Sequence, residues 1–324
     1  MRRRPFLAGL AGTSLLAGTW QTRAVSGISG GALALPMPAP LRRGSRVLAL
    51  APGTWWENAA EEAQQLRQRV ASVGWELVVP EASTGRWRWF SAPDRQRLAL
   101  LEAGMADPSL AAVFCVAGGW GSHRLLEAGW RPPGRPRWLV GFSDASALLL
   151  ALLAAGQGGA VHAGFGRGKQ SWQRVVALLS DRAVAPLQGN PWRPGVASGA
   201  LVVTNLTVAT NLIGTAWFPP LKGRLLVLED VGEDPYRVDR MLTQWRTAGV
   251  LQGVAGIGCG RFRWKQDDVL PGDLTMEEVL RDRLGDLGVP LVGELPVGHG
   301  QPNLALPLGR LAQLDGHRGR LALL

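Results

Sequence analysis

The chain has 324 residues, 46% of them hydrophobic and 19% charged, a balance that excludes a disordered polymer and leaves room for two domains of ordinary size. Its formal net charge is +10, carried almost wholly by arginine, since lysine occurs only at Lys169, Lys222 and Lys265. The arginines are scattered rather than clustered with aromatics, which argues against a nucleic-acid partner, while the positive field favours anionic partners such as cell-wall polymer or acidic peptides.

Arg2, Arg3 and Arg4 precede Pro5, Phe6 and Leu7 and then the run LAGLAGTSLLAGTW, which is too short to span a membrane. The string RRPFL is similar to a twin-arginine export signal. Small-residue cleavage sites follow Ser26 and Ala34, and residues 27–40 are rich in Gly, Ala and Pro. Residues 1–40 are therefore expected to be an export signal and linker, giving an exported, periplasmic product with no stable membrane insertion after processing. A cytoplasmic chain with an uncleaved or falsely assigned start is the alternative.

From Arg46 the pattern alternates strand and helix. RVLALAP (46–52) predicts a strand, Glu57 to Ser72 a helix, WELVVP (75–80) a second strand, 93–105 a helix, and AAVFCVAG (111–118) a third strand. A helix is expected from Ser122, a fourth strand at RWLVGF, an apolar helix over Ala145–Leu153, and a fifth strand at GAVHAG (159–164). Apolar runs separated by amphipathic helices predict a doubly wound parallel sheet, with ligands at the carboxyl ends of its strands. This N-terminal α/β domain is placed at 41–165. Residues 166–198 lose the rhythm and are expected to be a linker.

A smaller mixed β/α domain is expected over 199–324. It contains a helix-like segment at 205–213, the strand LLVLED (225–230), a helix opening at Pro235, a strand VAGIGCGRF (254–262), and short strands in PLVGELPVGHG, LALPLG and RLALL. Cys115 and Cys259 fall in apolar strand-like runs, without metal spacing or a disulfide framework, and are expected as buried thiols. Fourteen tryptophans occur, among them Trp55-Trp56 and Trp87 with Trp89. Packing accounts for most of them, with a substrate groove as the alternative.

The most informative stretch is RWLVGFSDASALLLALL, residues 137–153. Only Ser143 and Asp144 lie between its apolar strand and its apolar helix. So sharp a turn raises one side chain and aims free helix N–H groups at whatever binds there. Ser143 is a candidate nucleophile, and a capping role for Ser143 or Asp144 is the competing reading. Serine hydrolysis also needs a base and a group to orient it. Of the four histidines, His299 leads by position, in the Gly-rich turn PVGHGQPN. His317 and His123 are expected at the surface and His162 buried in a strand. The orienting carboxylate is expected at the end of LLVLED, where alternation leaves Glu229 and Asp230 equivalent; Asp234 suits the cap of the helix at Pro235. The N–H of Asp144 and the Gly118-Gly119 turn are candidate oxyanion donors. The segment GGWGS lacks the spacing of a dinucleotide fingerprint.

These motifs resemble those of the LD-carboxypeptidases, the serine peptidase family that also holds the microcin C immunity peptidases. The resemblance runs from about Leu41 to the C-terminus. It rests on LRRGSRVLALAP, DPSLAAVFCVAGGWGSHRLLE, VGFSDASALLLAL, GRLLVLEDVGEDPYRVDRMLTQWRTAGVL and LPVGHGQPNLALPLG, in the family's order. It implies a Ser-Glu-His triad of Ser143 as nucleophile, Glu229 as orienting carboxylate and His299 as general base. Glu229 is thereby chosen over Asp230. Gly118, Gly119, Trp120 and Asp144 would form the oxyanion and substrate-binding loop.

The resemblance implies no metal and no organic cofactor, a murein peptide as substrate, and carries over the homodimer often seen in the family. The implied reaction is hydrolysis of the L,D bond before a terminal D-alanine through an acyl-enzyme. A related peptidase acting on another peptide conjugate, or a catalytically silent wall-peptide binding protein, is the alternative. Departures fall in the cleft lining. Ala117 stands where the family has Arg, Trp120 for Tyr, Val203-Thr204-Asn205 for Gly-Gly-Asn, and His162-Ala163-Gly164 for His-Gly-Pro. An export signal is a further departure from the cytoplasmic enzyme of cell-wall recycling.

Overall fold

Alternation in the strands decides the layers. β1 (Arg46–Leu50) turns Val47 and Ala49 to one face and Leu48 and Leu50 to the other, and both faces are buried. A strand covered on both sides lies inside a parallel sheet with helices above and below. The computed structural model describes residues 35–165, 168–265 and 272–324. The RRPFL string and both cleavage sites lie outside the described residues. Residues 35–40 carry no helix or strand.

After β1 come α1 (Ala59–Ser72), β2 (Glu76–Val78), α2 (Asp94–Ala106), β3 (Leu110–Cys115), α3 (Ser122–Glu127), β4 (Trp138–Gly141), α4 (Ser146–Ala154) and β5 (Ala160–His162). α5 (Lys169–Leu179), β6 (Leu187–Gln188), β7 (Asn190–Arg193), β8 (Val196–Asn205), α6 (Leu206–Thr210), β9 (Leu225–Val231) and α7 (Pro235–Thr247) follow. The chain ends with β10 (Gly256–Arg263), α8 (Met276–Leu284), β11 (Leu291–Gly293), β12 (Leu306–Pro307), β13 (Leu311–Asp315) and β14 (Arg320–Leu323).

The first sheet has the order β12-β5-β4-β3-β1-β2, parallel except for the antiparallel edge strand β12. α1 and α5 cover one face through Leu66, Val70, Val175 and Leu179. α2, α3 and α4 cover the other through Leu101, Met105, Leu125 and Leu149. The second sheet has the order β6-β14-β13-β8-β9-β10-β11-β7, parallel from β8 to β11 and antiparallel on its flanks. α7 packs Val238, Leu242 and Trp245 onto it. The two sheets belong to one compact unit and share a core, in which α4 touches β4, β5, α6 and β8.

Two features differ from the sequence reading. The stretch 166–198, expected as a linker, contains α5, β6, β7 and the start of β8. α5 is amphipathic, and its Arg174 donates to the carbonyls of Ala305 and Ala185, so the segment ties both sheets together. α8 was not expected. Its signal is a capping box, in which Thr275 and Glu278 satisfy each other's backbone N–H, the S/T-x-x-E pattern at a helix start.

α4 is apolar all round because it is buried all round. Leu149→Ala is expected to cost about 2–5 kcal/mol, read as a lower denaturant midpoint. The exposed Leu274 changed to Ala should stay within about 0.5 kcal/mol. Equal midpoints for the two variants would refute the central place of α4.

Candidate active site

β4 ends at Gly141, whose register partner on β5 is His162. Phe142 continues in extended form, and Ser143 then takes φ 58. A non-glycine residue in the left-handed region costs about 1–3 kcal/mol, and such strain at a strand-to-helix turn raises the hydroxyl above the sheet. One tight turn over Ser143–Ala145 leads into α4. Neither Ser143 nor Asp144 caps that turn or α4. Asp144 reaches sideways, and its buried carboxylate accepts the Ser122 N–H at 2.9 Å and the Ser122 hydroxyl at 2.6 Å. It thus serves the start of α3. Burial pushes its carboxyl up, against the hydrogen bonds from Ser122.

The glycine loop after β3 packs against this turn. A Cβ on Gly118 would lie 3.2 Å from Ser143 Oγ. Gly119 has φ +78, and a Cβ there would lie 1.9 Å from Thr54 Oγ1, so only glycine fits. Thr54 anchors the loop by donating its N–H to the Gly118 carbonyl at 3.2 Å and accepting the Trp120 N–H at 3.1 Å. The Trp120 side chain is left exposed.

The carboxylate strand β9 carries two buried acids with different partners. Asp230 accepts the Asn205 side-chain N–H, both the N–H and hydroxyl of Thr207, and the N–H of Val231, at 2.7 to 3.1 Å. It anchors the start of α6, and burial first, with the Glu229 charge adding, raises it to about 6 despite these bonds. Glu229 is 0% exposed. Its Oε2 accepts His299 Nδ1–H at 2.7 Å and the His299 backbone N–H at 3.2 Å. His162 Nε2 lies 3.6 Å from Oε1, beyond hydrogen-bond range but close enough to act electrostatically. Burial pushes the Glu229 carboxyl up, but the two imidazoles outweigh it and bring it down to about 2. An ionised carboxylate only accepts, so the His299 Nδ1–H is the donor in this contact.

The histidine loop is closed from within. Gly298 donates its N–H to Asn303 Oδ1 at 3.0 Å, and Asn303 donates its N–H to Ser171 Oγ at 3.1 Å. Gly298 has φ +98, and a Cβ there would lie 2.5 Å from Glu229 Oε2. Bare backbone at 298 is what lets the loop sit on the carboxylate. The His299 ring packs 4.9 Å from the ring of Phe142, the residue before Ser143. A cavity of about 380 Å³ opens beside it, lined among others by Trp56, Glu62, Arg69, Phe142, Phe165 and His299.

The structure therefore sets Gly118 against Ser143, His299 on Glu229, and the ring of Phe142, the residue before Ser143, against His299. His123 is half-buried rather than superficial, with Nε2 3.2 Å from the Val208 carbonyl. His317 is exposed, and Cys115 and Cys259 are buried free thiols. Asp234 occupies the cap position of α7 without a side-chain cap bond, and its carboxylate lies 3.4 Å from Arg237. The residue sequence reasoning passed over is His162. It is buried as expected, but beside Glu229, and the available signal was its place at the end of the fifth strand, in the tripeptide matching His-Gly-Pro. The set can move a proton from a hydroxyl to an imidazole backed by a fixed negative charge, which is the chemistry of acyl transfer.

The depressed Glu229 carboxyl implies stability that is present above about pH 4.5 and lost as pH falls towards about 2. The advantage of the wild type over Glu229→Gln, read from denaturation midpoints between pH 6 and pH 3, is expected to shrink across that window. A difference independent of pH would refute the assignment.

Residues 46–163 match the LD-carboxypeptidase N-terminal domain, and residues 198–314 match the LD-carboxypeptidase C-terminal domain. A putative carboxypeptidase of Synechocystis is 40% identical over 296 residues, covering 89% of this chain and 97% of that one. The murein tetrapeptide carboxypeptidase of Pseudomonas aeruginosa is 31% identical over 295 residues, covering 85% and 94%. The solved structure of microcin C7 self immunity protein MccF in its wild-type apo state shares the fold, with a TM-score of 0.76 and 18% identity over 89% of this chain and 98% of that one. With both domain matches in order around the Ser143 turn and the Glu229–His299 pair, this chain belongs to the LD-carboxypeptidase family of peptidases.

Proposed function

We propose that the protein is a serine carboxypeptidase that removes the terminal D-alanine from murein peptides, with Ser143, His299 and Glu229 as its triad. The observation that carries this reading is the 2.7 Å bond from His299 Nδ1 to the buried Glu229, on a ring packed against the residue preceding a left-handed serine. His299 Nε2 takes the Ser143 proton as Oγ attacks the carbonyl of the L,D bond. The N–H groups of Asp144 and Gly119 hold the oxyanion. His299 then gives the proton to the leaving amine of D-alanine, and water, deprotonated by the same imidazole, clears the ester on Ser143. Glu229 keeps the imidazole in one tautomer and stabilises its cationic form.

The P. aeruginosa relative's name supports the murein substrate. The departures at Ala117, Val203 and Thr204 favour a second reading, a peptidase of the same mechanism acting on another peptide conjugate. Incubation with a murein tetrapeptide is expected to release D-alanine, detected by mass spectrometry, and Ser143→Ala should lower the rate by at least about 10³-fold. Release that survives the substitution would overturn the nucleophile. Cleavage of other peptides in a panel, without D-alanine release, would establish the second reading, and binding without any cleavage would establish a silent binding protein.

We also propose that the chain is exported through its twin-arginine-like start. N-terminal sequencing of protein from a periplasmic fraction is expected to begin at Gly27 or Leu35. Recovery of intact chain from the cytoplasm alone would refute export.

A further inference from the structure

β5 ends beside the turn that carries Ser143, and its last residue is a buried imidazole. His162 pairs in register with Gly141 of β4, and the Ala163 N–H donates to the Gly141 carbonyl at 2.9 Å. The backbone of His162 is thus fixed to the strand that delivers Ser143. Leu306 of β12 pairs with it from the other side. The side chain turns towards the second sheet. Its Nε2 lies 3.6 Å from Glu229 Oε1, the oxygen that His299 leaves unused, since both His299 bonds go to Oε2. The Phe142 ring packs against both imidazoles, edge-on to His162 at 6.0 Å and tilted to His299 at 4.9 Å between centroids.

Packing does not account for an imidazole at this place. His162 is 0% exposed, and among the described residues neither of its nitrogens nor Glu229 Oε1 has a hydrogen-bond partner. Burying polar atoms unpaired costs free energy, which an apolar side chain would avoid. What the imidazole gains is the carboxylate, whose attraction is strong where water is shut out. Gly298 and Gly260 wall the Glu229 side chain, where added Cβ atoms would lie 2.5 Å from Oε2 and 3.2 Å from its Cβ, but neither supplies a donor to Oε1. We propose that His162 is a positioning residue for hydrolysis, holding Glu229 from the side away from His299 so that Oε2 stays on Nδ1 and the base keeps one orientation towards Ser143. Its backbone belongs to the sheet of the nucleophile and its ring faces the carboxylate of the other sheet, so it couples parts of the triad that no local segment joins. Sealed from solvent, it touches no substrate. The role rests on the triad reading above.

The test uses full chain carrying His162→Leu, which keeps an apolar filling, and His162→Gln, whose amide nitrogen stands near the place of Nε2 and restores a donor towards Oε1. A role in packing alone ranks Leu at or above Gln, and a positioning role ranks Gln above Leu. With murein tetrapeptide, His162→Leu is expected to lower kcat roughly 10- to 100-fold with KM little changed, and His162→Gln to recover most of that loss. Thermal midpoints establish that the variants are folded at the assay temperature. Should His162→Leu fail to fold, His162→Asn, whose shorter amide leaves the Nε2 position empty, takes its place. A kcat equal to wild type in the variant without the donor, or a Gln variant equally slow, overturns the proposal. A second readout needs no substrate. The low-field proton resonance of His299 Nδ1, recorded on protein with isotope-labelled histidine, is expected in the wild type and in His162→Gln, and to broaden or move upfield in His162→Leu. If no tetrapeptide is cleaved, the peptidase reading fails and this resonance alone decides. A change confined to the variant without the donor upholds the positioning role, whereas a resonance unmoved there, or absent from the wild type, overturns it.

Discussion

A carboxylate shut away from water constrains the site more than any other group. Glu229 is fully buried and ionised, and a lone charge in such a place is intolerable unless hydrogen-bonded and paired. Its partners come from distant segments: the backbone and ring of His299 and the ring of His162. Countering this one charge therefore sets β5 of the first sheet, through His162 at 3.6 Å, and the histidine loop, through two hydrogen bonds, against β9 of the second. The same requirement that steadies the fold orients the His299 ring.

Asp230 answers the neighbouring problem differently. It takes neutral donors from Asn205, Thr207 and Val231, so its carboxyl rises where that of Glu229 falls. Two adjacent acids on one strand thus divide into one held by neutral donors and one held by an imidazole. The pattern is a familiar one in enzymes, where environment separates the roles of like groups. α4 provides the mechanical link, since the tight turn that leads into it carries Ser143 and its apolar body fills the core between the sheets.

Much of this was legible in the chain itself. The continuous apolar runs at β1, β3 and β4 foretold a sheet buried on both faces, and the strand-Ser143-helix turn was visible because strand and helix are both strongly apolar. α5 and β6–β7 were not legible, because their strands are short and proline-rich and acquire their identity from sheet-edge partners. α8 was legible through Thr275 and Glu278 but carries a weaker apolar stripe. Alternation alone left Glu229 and Asp230 equal, since both are buried and period two says only that they point to opposite faces.

The residue types, their order and the local turns were set by the sequence: serine between strand and helix, paired glycines after a strand, acids at a strand end, histidine in a glycine-rich loop. Their distances were not, because those are set by packing between segments far apart in the chain. The 2.7 Å approach of His299 to Glu229 and the placing of His162 behind it arise only when two sheets share one core. Burial around α4 and the satisfaction of a single charge decide that geometry, and neither is a local property of the chain.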